Sequence, residues 1–445
     1  MNVGLSSLWY RGLALGAWAL CVSGAAGQTA VNDEPPPLIP VPENVSKLSP
    51  LGTAPDWDKL AQWDRVMTRA EFEAALKDVY LDGRLLPNLW TIDDDGVSIK
   101  TGLIERPYLR VTFRHANDTP AVVGTTWRAP GDLPPLAGRA PLSDLHFAID
   151  PGHIGGAYGV MEERRLSFAP GEAIQEGDLS LLTAQVLAER LKELGAYVSL
   201  VRETPEPVTK QRPEDFKAEA LALLKENGVP MPLERYDGIV SEQRMLTVQW
   251  QCEKMFYRIS EIHARAKRVN EEIKPDVVLC LHFNAESWGD AAAPQYSPEN
   301  HAHILVGGCY SGTELSQQDV RFEMFSRLFA RVQAEEIPLG EVMTTSLLNV
   351  TGLPPYLYQT PNARPAGKVK GLFARNLLAN RLYQCPVIYL EPYVMNNEDT
   401  YRRLLLGQFV GRTRVGDRLR TSIINDYVRA VSEGLLNYYQ PRRTH

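Results

Sequence analysis

From residue 145 onward, short apolar runs alternate with longer stretches in which apolar positions recur every three or four residues. The runs predict buried strands and the stretches predict amphipathic helices. Strand candidates are "LHFAI" at 145–149, "AYVSLVR" at 196–202, "DVVLCLHFN", "HAHILVGG" and "CPVIYLEPYV". Between the first two lies "LSLLTAQVLAERLKELG", whose Leu179, Leu182, Val186, Leu187, Leu191 and Leu194 share one helical face until Gly195 ends it. "RISEIHARAKRVNEEI" is a second helix leading into a strand. This alternation predicts an α/β fold: a mainly parallel twisted sheet with helices on both faces.

Polar and proline-rich stretches divide the chain. Residues 28–55 are dense in proline and predict a linker, and "RAPGDLPPLAGRAP" supplies a second one at 129–141. The intervening 56–128 reads as a small α+β accessory unit. It contains the helix "TRAEFEAALKDVYLDG", capped by Thr68 with Glu71 three residues on, and the strand "YLRVTFRH". Residues 142–445 then form the main domain. A polar, helix-prone insertion at about 205–251 interrupts it, with Phe216, Ala220, Leu223 and Leu224 at helical spacing. This insertion is read either as a lid or as a surface decoration.

Of 445 residues, 44% are hydrophobic, enough for a large core, and the net charge of -7 without a long Lys/Arg run excludes nucleic acid as the main partner. Residues 1–27 combine Arg11, an apolar stretch and small residues, predicting a signal peptide cleaved near Ala26 or Gly27. The apolar stretch is too short for a stable membrane span. The expected product is exported, periplasmic or associated with the cell envelope. Cys252, Cys280, Cys309 and Cys385 contain no CxxC pair and do not read as a disulfide framework; Cys280 is predicted to be a buried thiol.

The chemistry gathers where strands stop. In "HFAIDPGHIGG" His153 follows the first strand. His282 and Asn284 end "VVLCLHFN", Glu391 ends "PVIYLE", and Glu176 and Asp178 stand before the helix that begins near Leu179. Carboxyl ends of parallel strands share one edge, where α/β sheets bind ligands. Two histidines and a glutamate form a ligand set for catalytic zinc, and Glu391 is then left to accept a proton from water.

"AIDPGHIGG", "QEGDLSLLTAQVLAERLKELGAYVSLVRET", "RAKRVNEEIKPDVVLCLHFNA" and "CPVIYLEPYVMNNEDTYRRLL" occur in that order. In this the chain resembles the zinc-dependent N-acetylmuramoyl-L-alanine amidases of the amidase_3 type, from about residue 145 to the C-terminus. The resemblance implies zinc on His153, Glu176 and His282, with Glu391 as the catalytic carboxylate and Asn284 and Asp178 as supports behind the ligands. It implies peptidoglycan as the partner and leaves room for a protein activator. The sequence departs from the family in the spacing of 23 from His153 to Glu176, a stretch that contains Glu162, Glu163 and Glu172, and in Pro392 and Tyr393 after Glu391. Glu172 is the alternative to Glu176. The insertion and the segment 286–300 have no obvious counterpart. His301 and His303 read as structural, and "RHAN" at 114–117 as a coincidental imitation of the His-x-Asn pattern. Two other functions remain open: a zinc peptidase or amidase acting on another exported amide, and a non-catalytic wall-binding protein that keeps the fold.

Overall fold

The computed structural model describes residues 47–443, apart from 85–87, 120, 122, 238–241, 288 and 290–292. The signal peptide and most of the first linker lie outside the described residues. At the N-terminal side, helix α1 (Arg69–Ala75) begins with the expected capping box of Thr68 and Glu71. It accompanies a small antiparallel sheet of β1 (Trp90–Ile92), β2 (Gly96–Lys100) and β3 (Tyr108–Thr112).

The main sheet uses β4 (His146–Pro151), β7 (Tyr197–Leu200), β8 (Val277–Leu281), β9 (Ala302–Gly307), β10 (Ala363–Pro365), β11 (Leu372–Arg375) and β12 (Val387–Pro392), in the order β10-β11-β9-β12-β8-β4-β7. A hairpin of β5 (Arg165–Ser167) and β6 (Ala173–Gln175) sits apart from it, between β4 and α2 (Glu176–Glu193). Strands β7, β4, β8 and β12 are mutually parallel. β9 pairs antiparallel with β12, and β11 runs with β9.

The reversal of β9 has a local cause. A parallel return needs a crossover, usually a helix, that carries the chain back to the opposite edge. Among the described residues the link from β8 to β9 contains no helix, so β9 starts on the edge where β8 ended and runs back. Residues 301–303 therefore lie beside the carboxyl end of β12, with His303 paired to Glu391.

Alternate residues of the strands feed two cores. Phe147, Ile149, Leu279, Leu281, Ile304, Ile388 and Leu390 are buried together with residues of α2. That layer also takes in two helices from later in the chain, α8 (Gln333–Thr351) and α11 (Ile423–Tyr439). On the other face Ala148, Val278, Cys280 and Val387 pack with Ala266, Val269 and Tyr383.

The insertion holds α3 (Lys217–Glu226) and leads into α4 (Val248–Lys254), which continues through a π-helical stretch into α5 (Glu261–Lys267). Phe216, Ala220 and Leu224 are buried with Val248, Phe256 and Ile154, so the insertion packs on the loop that carries His153. After β9 come α6 (Gly312–Leu315), α7 (Gln318–Phe329) and α8; α9 (Leu378–Leu382) precedes β12 and α10 (Glu398–Leu405) follows it. The N-terminal unit shares the larger core: Phe72 stacks on Phe325 and Phe329, and Trp90 meets Phe325 edge-on at 5.4 Å. The four described cysteines are free and buried, Cys280 among them. Among the described residues no helix is long and apolar enough to cross a membrane.

Candidate metal centre

The glycines around His153 are required by close approach. A Cβ at Gly152 would overlap the His282 ring, and one at Gly177 would overlap the backbone of Ile154 and Gly155. Gly155 has φ +76° and His153 itself φ +55°, a left-handed conformation that costs a non-glycine residue roughly 1 kcal/mol or more. Surrounding bonds hold the strained loop. Buried Arg265 donates to the carbonyls of Pro151 (2.7 Å) and His153 (2.8 Å) while paired with Asp150 (2.9 Å) and Glu261 (2.7 Å). Buried Glu162 accepts the N–H groups of Ile154 and Gly155, each at 2.9 Å, and lies 3.4 Å from His153 Nδ1.

Helix α2 begins at Glu176, three residues earlier than its apolar face suggests, because carboxylates suit the exposed N–H groups and dipole of a first turn. This start carries Glu176 inward. Its Oε2 is 3.3 Å from His153 Nε2 and its Oε1 is 2.9 Å from His282 Nδ1. One ligand atom from each of His153, Glu176 and His282 lies within 4.8 Å of the others, a set that could hold a metal ion. The N–H of Phe283 also donates to Glu176, at 3.2 Å, and Arg164 Nε lies 3.2 Å from it. Tyr389 stacks on the His282 ring at 4.2 Å, and Tyr427 donates to the His282 carbonyl.

The electrostatics suit a cation. Burial drives the His153 pKa well below its ordinary value despite the pull of Glu176, so the imidazole stays neutral, as a metal ligand must. Burial opposes the charge on Glu176, but His153, His282 and Arg164 outweigh it and hold the pKa down at about 2. Burial lowers His282, and its hydrogen bond to Glu176 more than offsets this, so its pKa is raised. The donors, two imidazoles and an ionised carboxylate, fit a catalytic zinc with a coordination position left open. Glu391 lies on the next strand, on the same face as His282; burial pushes its pKa up to about 7, against the pull of His282. A carboxyl group in that range can both accept and return a proton.

The other expected residues sit around this cluster. Asp178 accepts the N–H of Gly156 at 2.9 Å and so holds the far end of the loop. Asn284 turns its side chain onto the N–H of Ala285, while its backbone bridges to Val394 and ties the ends of β8 and β12 together. Glu172 is exposed in the β5–β6 hairpin, and Glu163 pairs with Arg244 and Lys254. "RHAN" lies in the N-terminal unit, at the end of β3.

Sequence reasoning did not assign Glu162, whose only signal was a carboxylate following a glycine-rich loop. It also set aside His301 and His303, which the reversed β9 brings to the edge that carries Glu391. His303 Nε2 lies 3.1 Å from the Tyr358 hydroxyl, and His301 Nε2 lies 3.0 Å from Glu286. The helix-free link before them was the available signal.

No protein-family profile matches this chain, and no curated protein matches it. Solved structures do. An apo N-acetylmuramyl-L-alanine amidase from Mycobacterium abscessus is 15% identical, with a TM-score of 0.34, covering 67% of this chain and 99% of its own. The CwlD amidase of Clostridioides difficile, solved with the GerS lipoprotein, is 12% identical, with a TM-score of 0.35 over 66% of this chain and 98% of its own. An N-acetylmuramoyl-L-alanine amidase of Nostoc punctiforme is 16% identical, with a TM-score of 0.33 over 67% of this chain and 99% of its own. At these values the functional reading rests on this chain's own residues.

Proposed function

We propose that this chain is a zinc-dependent N-acetylmuramoyl-L-alanine amidase of the cell envelope. It would hydrolyse the amide between the lactyl group of N-acetylmuramic acid and L-alanine in peptidoglycan. The observation that carries this reading is the convergence of His153, Glu176 and His282 with Glu391 on the adjoining strand, facing the same side as His282. The four quoted motifs, in order, support the substrate class.

His153, Glu176 and His282 would hold the zinc, which when bound supplies a Lewis acid that polarises a carbonyl and acidifies water. Glu391 takes a proton from water as its oxygen bonds to the amide carbon. It returns that proton to the nitrogen as the C–N bond breaks, leaving a lactyl carboxylate and a free L-alanine amine. Glu162, Arg265 and Asp178 hold the His153 loop in its strained shape, so the ligand does not have to be ordered when the metal arrives. Export through residues 1–27 and control by a protein activator belong to the same reading. Digestion of purified cell wall by the zinc-loaded protein tests it. New L-alanine amino termini are expected, and amino termini of any other residue, or none, would overturn it.

A further inference from the structure

The chain carries a net charge of -7, yet between residues 402 and 420 it places six arginines, no lysine and a single acid, Asp417. This stretch, "RRLLLGQFVGRTRVGDRLR", runs from α10 into a hairpin of β13 (Thr413–Val415) and β14 (Arg418–Arg420), just ahead of α11. The hairpin is fixed to its surroundings. Val415 is buried, Asn425 donates to the Phe409 carbonyl at 2.7 Å, and Arg403 donates to the Thr421 carbonyl at 3.0 Å and to Asp426 at 2.9 Å. Near the start of α11, Tyr427 donates to the carbonyls of His282 and Leu390, so the hairpin lies at the end of α11 nearest the metal ligands.

Half of these arginines are neutralised. Arg402 pairs with Glu398 at 2.7 Å, Arg403 with Asp426 at 2.9 Å and Arg420 with Asp399 at 3.0 Å. The other three are exposed: among the described residues the side chains of Arg412 and Arg414 meet no partner, and Arg418 comes no nearer than 3.8 Å to Asp417. Apolar side chains stand among them. Val410 is 98% exposed, Leu419 63% and Leu406 48%. Cross-strand partners share a face, and Leu419 is the partner of Arg414, so charge and apolar area point outward together. Helix α10, which ends at Leu405 just before Leu406, packs against β13. Apolar side chains scattered singly over a surface are ordinary, whereas these gather on one small element with three unneutralised cations.

We infer that the surface from Arg402 to Arg420 docks on an anionic lipid bilayer, with Arg412, Arg414 and Arg418 at the headgroup phosphates and Leu406, Val410 and Leu419 at the acyl boundary. The excess of positive charge selects an anionic partner. The apolar side chains decide its kind. A soluble polyanion would leave them in water, while a bilayer interface takes them up and lets the long arginine stems reach the phosphates. Because the hairpin is already held in place, docking has little chain to order. These residues lie outside the proposed active site and hold no metal, so the inference stands apart from the amidase reading.

The test is co-sedimentation of the full-length chain with vesicles of phosphatidylcholine alone or with about 30% phosphatidylglycerol. Every variant keeps residues 1–27, so differences between variants report on the hairpin. The anionic vesicles are expected to bind at least about tenfold more tightly, and added salt should weaken them. Replacing Arg412, Arg414 and Arg418 together by Gln should lower that affinity by about 100-fold, and Arg412→Gln alone by about fivefold, since each cation near an anionic surface contributes separately. Val410→Ser combined with Leu419→Ser should lower it by about tenfold. All of these side chains are exposed, and an unchanged melting temperature shows that each variant is folded. Should the triple variant fail to fold, Arg412→Gln carries the comparison. No binding, or equal binding to both kinds of vesicle, overturns the docking surface, as does full affinity in the folded arginine variants. A loss confined to the arginine variants, with the Val410 and Leu419 changes without effect, marks a surface for a soluble polyanion and overturns lipid docking.

Discussion

The parallel block of β7, β4, β8 and β12 and the reversed wing of β9, β11 and β10 reach one edge of the sheet by opposite routes. In the block each strand delivers its last residues and hands them to a loop, so His153, His282 and Glu391 stand at the ends of apolar runs. In the wing the first residues of β9 arrive at the edge, and Arg375 reaches toward it from the far end of β11. Block residues are thus surrounded by recognisable loop chemistry. Wing residues are surrounded by ordinary strand sequence. In the proposed reading the two regions divide the work: the block would hold the metal and the base, and the wing borders them with buried polar groups.

The largest effect that would break this division concerns the block. His153→Ala or His282→Ala should reduce zinc from one ion per chain to under about a tenth at micromolar zinc, measured by elemental analysis, since a three-ligand site loses far more with a ligand than with a supporting group. His303→Gln should leave the zinc content intact. Metal loss in the wing variant equal to that in the block variants would dissolve the distinction.

Within the block, Glu391→Gln separates chemistry from binding. Zinc should remain while turnover falls by about two to four orders of magnitude, because an amide keeps the shape but accepts no proton. Glu162→Gln should be milder, lowering zinc affinity by about 10–100-fold, since the loop N–H groups and the His153 ring lose a carboxyl acceptor. A competition titration with a chelator distinguishes this from the wild type.

The smallest effects are in stability against pH, and they run in opposite directions in the two regions. Lys254, on the helix over the His153 loop, is buried beside Trp250 and Tyr257; burial and then Arg258 lower its pKa to about 7. The unfolded chain binds more protons between that value and 10.5, so this group makes stability rise with pH over that window. Glu335, on α8 behind the wing, accepts from Tyr438 at 2.9 Å, yet burial raises its pKa to about 7. Here the folded chain binds more protons between 4.5 and 7, so stability is lost as pH rises through that window. Lys254→Met should flatten the alkaline side of a melting-temperature profile, and Glu335→Gln the acid-to-neutral side, each by about 2–4 °C. Equal slopes in wild type and variant would show that the group in question is not perturbed as described.

Legibility followed the same boundary. The α/β alternation, the capping box at Thr68 and the gathering of residues 153, 176 and 282 were readable because each depends on local sequence: a run, a cap, a glycine-rich loop, a helix start. The direction of β9 was not, since antiparallel pairing with β12 is decided by a link that only lacks a helix. The support given by Glu162 and Arg265 was also hidden, because it depends on where a hairpin and a distant helix close around the loop. Arg375 and Tyr358 carry no motif, and only strand register unites them with Glu391.

The central claim is that His153, Glu176 and His282 together form a zinc site, and zinc X-ray absorption on the loaded protein tests it most directly. The account predicts a shell of nitrogen and oxygen only, at about 2.0–2.2 Å, with outer-shell scattering from two imidazoles that drops to one or vanishes in His282→Ala. A sulfur shell at about 2.3 Å, or a spectrum unchanged in that variant, would contradict it.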